Sequence, residues 1–274
     1  MRLDSHQHFW RYSQQDYPWI DPKGPIRRDF LPVDLAPELK KANLDGCVAV
    51  QARQSLEETR WLLELAESNP FIKGVVGWVD LRSPCLEAHL AEFAPHPKFV
   101  GVRHVVQDEP DERFLLREDF QQGIAKLQGL GLTYDILIYP HQLPAAIELA
   151  RAFSEQPFVL DHLAKPLIRD QVLSPWSEHI RRLADCPNVM CKVSGLVTEA
   201  NWQRWQAADF RPYLEVVLDA FGPHRLMFGS DWPVALLAAS YEQVYGLVCD
   251  HLAQYDKQAQ AKVFGLNATH FYGL

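Results

Sequence analysis

The chain of 274 residues is 47% hydrophobic and carries 35 acidic against 27 basic residues, a formal net charge of −8. A chain this long can bury a large core without disulfides or oligomerisation. With no long basic run and no apolar stretch approaching about 18 residues, neither nucleic acid nor membrane is an expected partner.

In chain order, short apolar runs predict strands at Arg2–Asp4, Gly46–Gln51, Ile72–Val79, Phe99–Arg103, Thr133–Ile138, Phe158–Leu160, Val189–Val193 and Arg225–Phe228. They are continuous Val/Ile/Leu/Phe runs rather than alternating ones, the pattern of strands buried on both faces. Apolar residues at three- and four-residue spacing predict helices near Leu56–Ala66, Cys85–Phe93, Glu118–Leu127, Leu143–Phe153, Ser177–Ala184 and Phe210–Phe221. Two more, Tyr241–Val248 and Lys257–Phe264, follow the last strand. Breaks such as Asn69-Pro70 and Phe221-Gly222-Pro223 close several of them.

Eight strands separated by helices give the arithmetic of a single-domain (β/α)₈ TIM barrel over residues 1–274. An open doubly wound sheet would carry a Gly-rich nucleotide loop after its first strand, and His6-Gln7-His8 takes that place. The insert from Trp10 to Pro37 holds Tyr12, Tyr17, Trp19 and Phe30. It is too aromatic for a linker and reads as a long ordered loop folded over the barrel mouth. Cys47, Cys85, Cys186, Cys191 and Cys249 form no CxxC pair and are expected as buried free thiols. With no apolar signal-peptide run, the expected location is cytoplasmic.

A barrel carries its chemistry at the C-terminal ends of its strands. Those ends supply His6 and His8, Gln51 and Arg53, Trp78 and Asp80, Arg103 and His104, Tyr139 and His141. The last three add Asp161, His162 and Lys165, then Lys192 and Ser194, then Asp231. Residues i and i+2 of a strand share a face, so His6 and His8 can address one point. With His162 and Asp231 they make three imidazoles and a carboxylate, able to bind zinc or to hold a water without metal. Asp231 is the general-base candidate, its alternative being a helix cap ahead of Trp232-Pro233. Arg103 can hold a substrate oxygen, or pair with Asp80 or Asp108. Lys165 and Lys192 either reach the mouth or are solvated heads on buried stems. His104 reads as a supporting hydrogen-bond partner.

The segments Asp4-Ser-His-Gln-His-Phe-Trp10, Gly101-Val-Arg-His104, Asp161-His-Leu-Ala-Lys-Pro166 and Phe228-Gly-Ser-Asp-Trp-Pro-Val234 together carry a family likeness. The chain resembles the amidohydrolase-related sugar-lactone hydrolases of the amidohydrolase superfamily, most of all the L-fuconolactonases. The resemblance places the family's HxH on His6 and His8, its strand-six histidine on His162 and its strand-eight aspartate on Asp231. It implies a lactonase in sugar-acid metabolism such as L-fucose catabolism, with Asp231 activating a water and Arg103 meeting the oxyanion. Under that reading Trp10, Trp19, Gln51, Trp78, Lys165 and Trp232 line the sugar.

Strand five ends without the Lys or Glu that bridges two metals in binuclear members, so the expected cofactor is none or one divalent ion, zinc first. The expected partner is a small neutral sugar lactone, with self-association left open. Two alternatives stand beside this: a metal-dependent decarboxylase of the same superfamily and a non-catalytic sugar-acid binding protein.

Overall fold

The computed structural model describes all 274 residues. Strands β1 (Leu3–Gln7), β2 (Gly46–Val50), β3 (Ile72–Gly77), β4 (Phe99–Val105), β5 (Thr133–Leu137), β6 (Phe158–Leu160), β7 (Val189–Val193) and β8 (Leu226–Phe228) lie in sequence order in one parallel sheet. The sheet closes where Asp231 N donates to His6 O at 2.8 Å and His8 N donates to Trp232 O at 2.7 Å. Between the strands run α1 (Pro32–Lys41), α2 (Leu56–Ser68), α3 (Leu86–Phe93), α4 (Glu118–Gly129), α5 (Leu143–Ala152), α6 (Trp176–Ala184) and α7 (Ala207–Phe221). After β8 come α8 (Tyr241–Leu252), α9 (Lys257–Ala261) and α10 (Asn267–Tyr272). This is the (β/α)₈ barrel, and no helix is long and apolar enough to cross a membrane.

The strands form because their branched apolar residues fill the space between barrel interior and helix layer. Leu3, Val48, Val50, Val76, Val100, Val159 and Met227 pack together inside and meet Ala268 and Tyr272 of α10, which plugs the N-terminal end of the barrel. A second, larger core lies mostly between strands and helices. Helix starts follow local chemistry: Ser55 caps α2 by accepting from Glu58 N, and Ser240 and Gln243 form a reciprocal cap on α8.

Several local features differ from the sequence reading. The ordered loop after β1 ends at Leu31, because Pro32 suits the first position of a helix and opens α1 there. The predicted helix Lys257–Phe264 breaks at Ala261 into a wide turn that ends before α10. Gly265 in that turn has φ +155°, and a Cβ there would stand 2.2 Å from Met1 O, so the tail can lie against β1 only with glycine. Of the five cysteines, all free, Cys47, Cys186 and Cys191 are buried, Cys249 is half-buried and Cys85 is exposed.

One irregularity positions the site directly. β1 pairs regularly with β2 at Leu3 and Asp4, then slips before Gln7. Leu3 packs inside the barrel, and Asp4 Oδ2 accepts from Tyr241 of α8 in the helix layer. Strict alternation would send His6 outward with Asp4; the bulge turns it inward, a common use of bulges beside active sites.

Candidate active site

His6, His8, His162 and Asp231 meet at the C-terminal end of the barrel. His8 Nε2 lies 3.3 Å from Asp231 Oδ1 and 3.3 Å from His6 Nε2. His162 Nε2 and His6 Nε2 stand 3.9 and 4.0 Å from the same carboxylate oxygen. Each ring is held from behind at Nδ1: His8 by Val50 O at 2.8 Å, His162 by Ser194 Oγ at 2.9 Å, His6 by Lys192 and Asp161 at 3.2 and 3.3 Å. All three therefore turn Nε2 toward Asp231.

His162 reaches its place through unusual backbone. Residues His162, Leu163, Ala164 and Lys165 have φ between 51° and 58°, one turn of left-handed helix. With roughly three residues per turn, side chains i and i+3 eclipse, which brings His162 and Lys165 to one face. Each such residue costs on the order of 1 kcal/mol, offset here by the fully buried Leu163 and Ala164 and by Trp176 Nε1 donating to Leu163 O at 2.7 Å. Gly195, at φ +63°, leaves the room this ring needs: a Cβ would sit 2.5 Å from His162 Nδ1.

Arg103 projects from β4 and donates to Asp161 Oδ2 at 3.1 Å, to His6 Nε2 at 3.2 Å and to Gln51 O. Its ion-pair partner is Asp161, not Asp80 or Asp108. Lys192 is fully buried and pairs with Asp135 and Asp161, which overturns the reading of a solvated head. His104 Nε2 meets Glu109 at 2.7 Å in the supporting role expected.

Electrostatics set the protonation states. Burial pushes His6 and His162 well below the usual imidazole value, so both rings are neutral at physiological pH. Burial would raise Asp231, but His162, His8 and Lys165 outweigh it and hold the carboxyl below its ordinary value. Asp161 is driven well below by Lys192, His6 and Arg103 against the same burial. Burial lifts Asp135 to about 6 in spite of Lys192.

Above this floor opens a cavity of about 880 Å³. Of the residues expected to line it, His8, Trp19, Arg103, His162, Lys165 and Asp231 do so, while His6 lies one layer beneath. Trp10, Gln51, Trp78 and Trp232 do not line it. Trp10 is fully buried against Phe30 and Tyr17, and Trp232 packs on Phe9 and Phe30. Trp78 turns its indole N–H to His104 Nδ1 at 3.4 Å, and Gln51 supports Arg103 through main-chain contacts. Lining residues that the sequence reading did not assign include Gln54, Gln107, Glu109, Thr198, Glu199 and Trp202. Arg53 also lines the mouth but is paired with Asp16.

The donor set fits one metal ion: ligand atoms of His6, His8 and Asp231 gather at one point, with His162 Nε2 3.9 Å from the same carboxylate oxygen, and imidazole with carboxylate is a set that zinc uses. A second group, His6, Asp161 and His162, is less free, because Asp161 is engaged by Lys192 and Arg103.

The amidohydrolase family pattern matches residues 3–274. A curated L-fucono-1,5-lactonase from Burkholderia multivorans is 48% identical over 259 residues, 90% of this chain and 87% of its own. Another from Burkholderia ambifaria is 39% identical over 279 residues, 99% of this chain and 95% of its own. A crystal structure of an amidohydrolase from Burkholderia multivorans with bound zinc superposes with a TM-score of 0.96 at 44% identity, covering 100% of this chain and 99% of that one.

Proposed function

The chain belongs to the amidohydrolase family, and from that premise we propose that it is a lactonase opening the ring ester of a neutral sugar-acid lactone of the L-fuconolactone type. The observation that carries this is an ionised carboxylate, Asp231, among three inward-facing imidazoles at the floor of a polar cavity.

Asp231 takes a proton from a water held among His6, His8 and His162, and the hydroxide attacks the lactone carbonyl carbon. Arg103 meets the oxyanion at the cavity floor, where a preorganised positive charge acts strongly. As the tetrahedral centre collapses, the ring C–O bond breaks and Asp231 returns its proton to the leaving hydroxyl. The leaving group stays tethered to the acyl carbon, so the site needs one pocket rather than two. The product is the open-chain acid, which releases a proton at neutral pH.

His6, His8, His162 and Asp231 are the residues that would hold a zinc ion, one rather than two. When bound, zinc supplies a Lewis acid that polarises a carbonyl and acidifies water. Lys192 already places a cation between Asp135 and Asp161, where a second ion would have to compete with it.

The rim favours a neutral substrate. Asp108, Glu109 and Glu199 line the mouth, Arg53 is offset by Asp16 and Arg103 by Asp161. A dicarboxylated lactone would meet several carboxylates and no surplus guanidinium. The likeness to L-fucono-1,5-lactonases supports a place in sugar-acid metabolism, L-fucose catabolism included, and a cytoplasmic location is part of the same proposal.

The test is a panel of L-fucono-, galactono- and rhamnonolactone with two dicarboxylated lactones, read by a pH indicator, on protein whose metal content is measured. Acid release from the neutral lactones is expected, with at most one equivalent of metal. Activity confined to the charged lactones would overturn the substrate class. Carbon dioxide release from a carboxylated aromatic, with no lactone turned over, would overturn the reaction.

A further inference from the structure

Beneath the cavity floor lies a layer of buried charge whose members the hydrolytic steps leave largely unused. The Lys192 ammonium pairs with Asp135 Oδ2 and stands 3.1 Å from Asp161 Oδ1 and 3.2 Å from His6 Nδ1. Arg103 closes the other side, 3.1 Å from Asp161 Oδ2 and 3.2 Å from His6 Nε2. From the opposite end of the barrel, the Tyr272 hydroxyl on α10 donates to Asp135 Oδ2 at 2.9 Å. Lys192, Asp135 and Asp161 have no exposed surface, and Arg103, at the cavity floor, supplies the second cation that balances the two carboxylates.

The hydrogen-bonding sense of His6 follows from its neighbours. A guanidinium only donates, so Arg103 calls for a lone pair on His6 Nε2. A neutral imidazole with that lone pair carries its proton on Nδ1. The acceptor facing that proton is Asp161 Oδ1 at 3.3 Å, a buried oxygen otherwise left without a well-formed hydrogen bond, with the Lys192 ammonium 3.1 Å away. In the other tautomer Nδ1 would accept from Lys192, but Nε2–H would confront Arg103, and Asp161 Oδ1 would face only the Lys192 ammonium.

We infer that Asp161 is the positioning residue that holds His6 with its proton on Nδ1 and its Nε2 free toward His8 and Asp231, and that Tyr272 braces this pair through Asp135 and Lys192. The C-terminal helix thereby completes the site from the far end of the barrel. This rests on reading His6 as part of the lactonase site. Partners that orient a metal-ligating or catalytic imidazole typically matter by 10–100-fold in affinity or activity.

The experiment uses full-length wild-type, Asp161→Asn and Tyr272→Phe protein labelled with ¹⁵N-histidine. Imidazole ¹⁵N spectra are recorded metal-free, with His6 assigned by its loss in His6→Gln. Zinc affinity is then measured by chelator competition, and kcat and KM on L-fuconolactone. The wild type is expected as the Nδ1–H tautomer. Asp161→Asn is expected to lose that preference, to weaken zinc 10–100-fold and to lower kcat with KM within about twofold. Tyr272→Phe is expected to move all three in the same direction by a few-fold, with thermal unfolding near wild type. An Nε2–H tautomer in the wild type would overturn the inference, as would Asp161→Asn protein with unchanged tautomer and zinc affinity. Should Asp161→Asn fail to fold, Tyr272→Phe decides, since it removes a single oxygen; wild-type spectra and zinc affinity there would defeat the brace. The spectra and zinc titration need no lactone, so silence on every lactone would sink the functional reading while leaving this inference to stand or fall by itself.

Discussion

His8 Nε2 stands 3.3 Å from Asp231 Oδ1, and the same two segments close the barrel through Asp231 N to His6 O and His8 N to Trp232 O. The contact between the first and last strands therefore comes from the hydrogen bonds that make the sheet a barrel. A site spread over more than two hundred residues of chain is held as rigidly as the fold itself, which is what a preorganised general base requires.

Asp231 has φ +56°, a left-handed conformation that Asp and Asn tolerate better than other side chains. Asp231→Asn should therefore melt near wild type while kcat falls roughly 10²–10⁴-fold. Asp231→Ala should lose the same activity and also on the order of 1 kcal/mol of stability. Near-normal turnover in Asp231→Asn would reduce this residue to a backbone element of the seam.

Gly195→Ala tests the support behind His162. The added methyl would lie 2.5 Å from His162 Nδ1, and the backbone is at φ +63°. The ring must move and its 2.9 Å contact with Ser194 Oγ is lost. The expected outcome is a fall in kcat of about tenfold or more, in line with removing the partner that orients a functional imidazole, while circular dichroism still reports a folded barrel. An unchanged kcat would mean that His162 tolerates displacement and is no part of the reacting set.

What the sequence made legible is what depends on local pattern. The apolar runs announced the parallel strands, and the charged or imidazole residue after each run announced the mouth; His6, His8, His162 and Asp231 came from there. Tryptophans in one loop look alike in sequence, yet Trp10 is fully buried and Trp19 is 51% exposed, a difference decided by how the loop folds back on Phe30. The bulge that turns His6 inward depends on pairing with β2 and leaves no mark in the composition. Asp135 and Lys192 did leave a signal. Each is a charge inside an otherwise apolar strand, and buried charges come paired. Their pairing across 57 positions, and the arrival of Tyr272 from the tail, could be known only from the closed barrel.

That contrast between two tryptophans is itself testable. Trp10→Ala empties a filled core site and should cost about 3–5 kcal/mol of stability. Trp19→Ala removes a half-exposed side chain from the cavity wall, so its melting temperature should stay near wild type while KM for the lactone rises several-fold. If Trp19→Ala leaves KM unchanged, the sugar does not touch that wall of the cavity.

Glu58 on α2 gives the fold a pH dependence that can be worked out in sign. Its Oε2 accepts from Ala52 N at 3.0 Å and Arg53 N at 2.8 Å, and its Oε1 accepts from the Tyr17 hydroxyl at 3.1 Å, joining the loop after β1 to the cavity rim. Burial outweighs those hydrogen bonds and the Arg53 charge, and lifts the carboxyl from 4.5 to about 7. Between those values the folded protein binds a proton that the unfolded chain has lost, so stability falls as pH rises. The contribution is fully present below pH 4.5 and is lost as pH rises through about 7. At 1.36 kcal/mol per pKa unit the change is at most about 3 kcal/mol. Urea unfolding of wild type and Glu58→Gln at pH 4.5 and at about pH 8 isolates it, because other titrating groups cancel in the difference. The stability of wild type minus variant should be larger at the acid end. A difference that is flat, or that grows toward pH 8, would show that the two amides and Arg53 keep Glu58 ionised despite its burial.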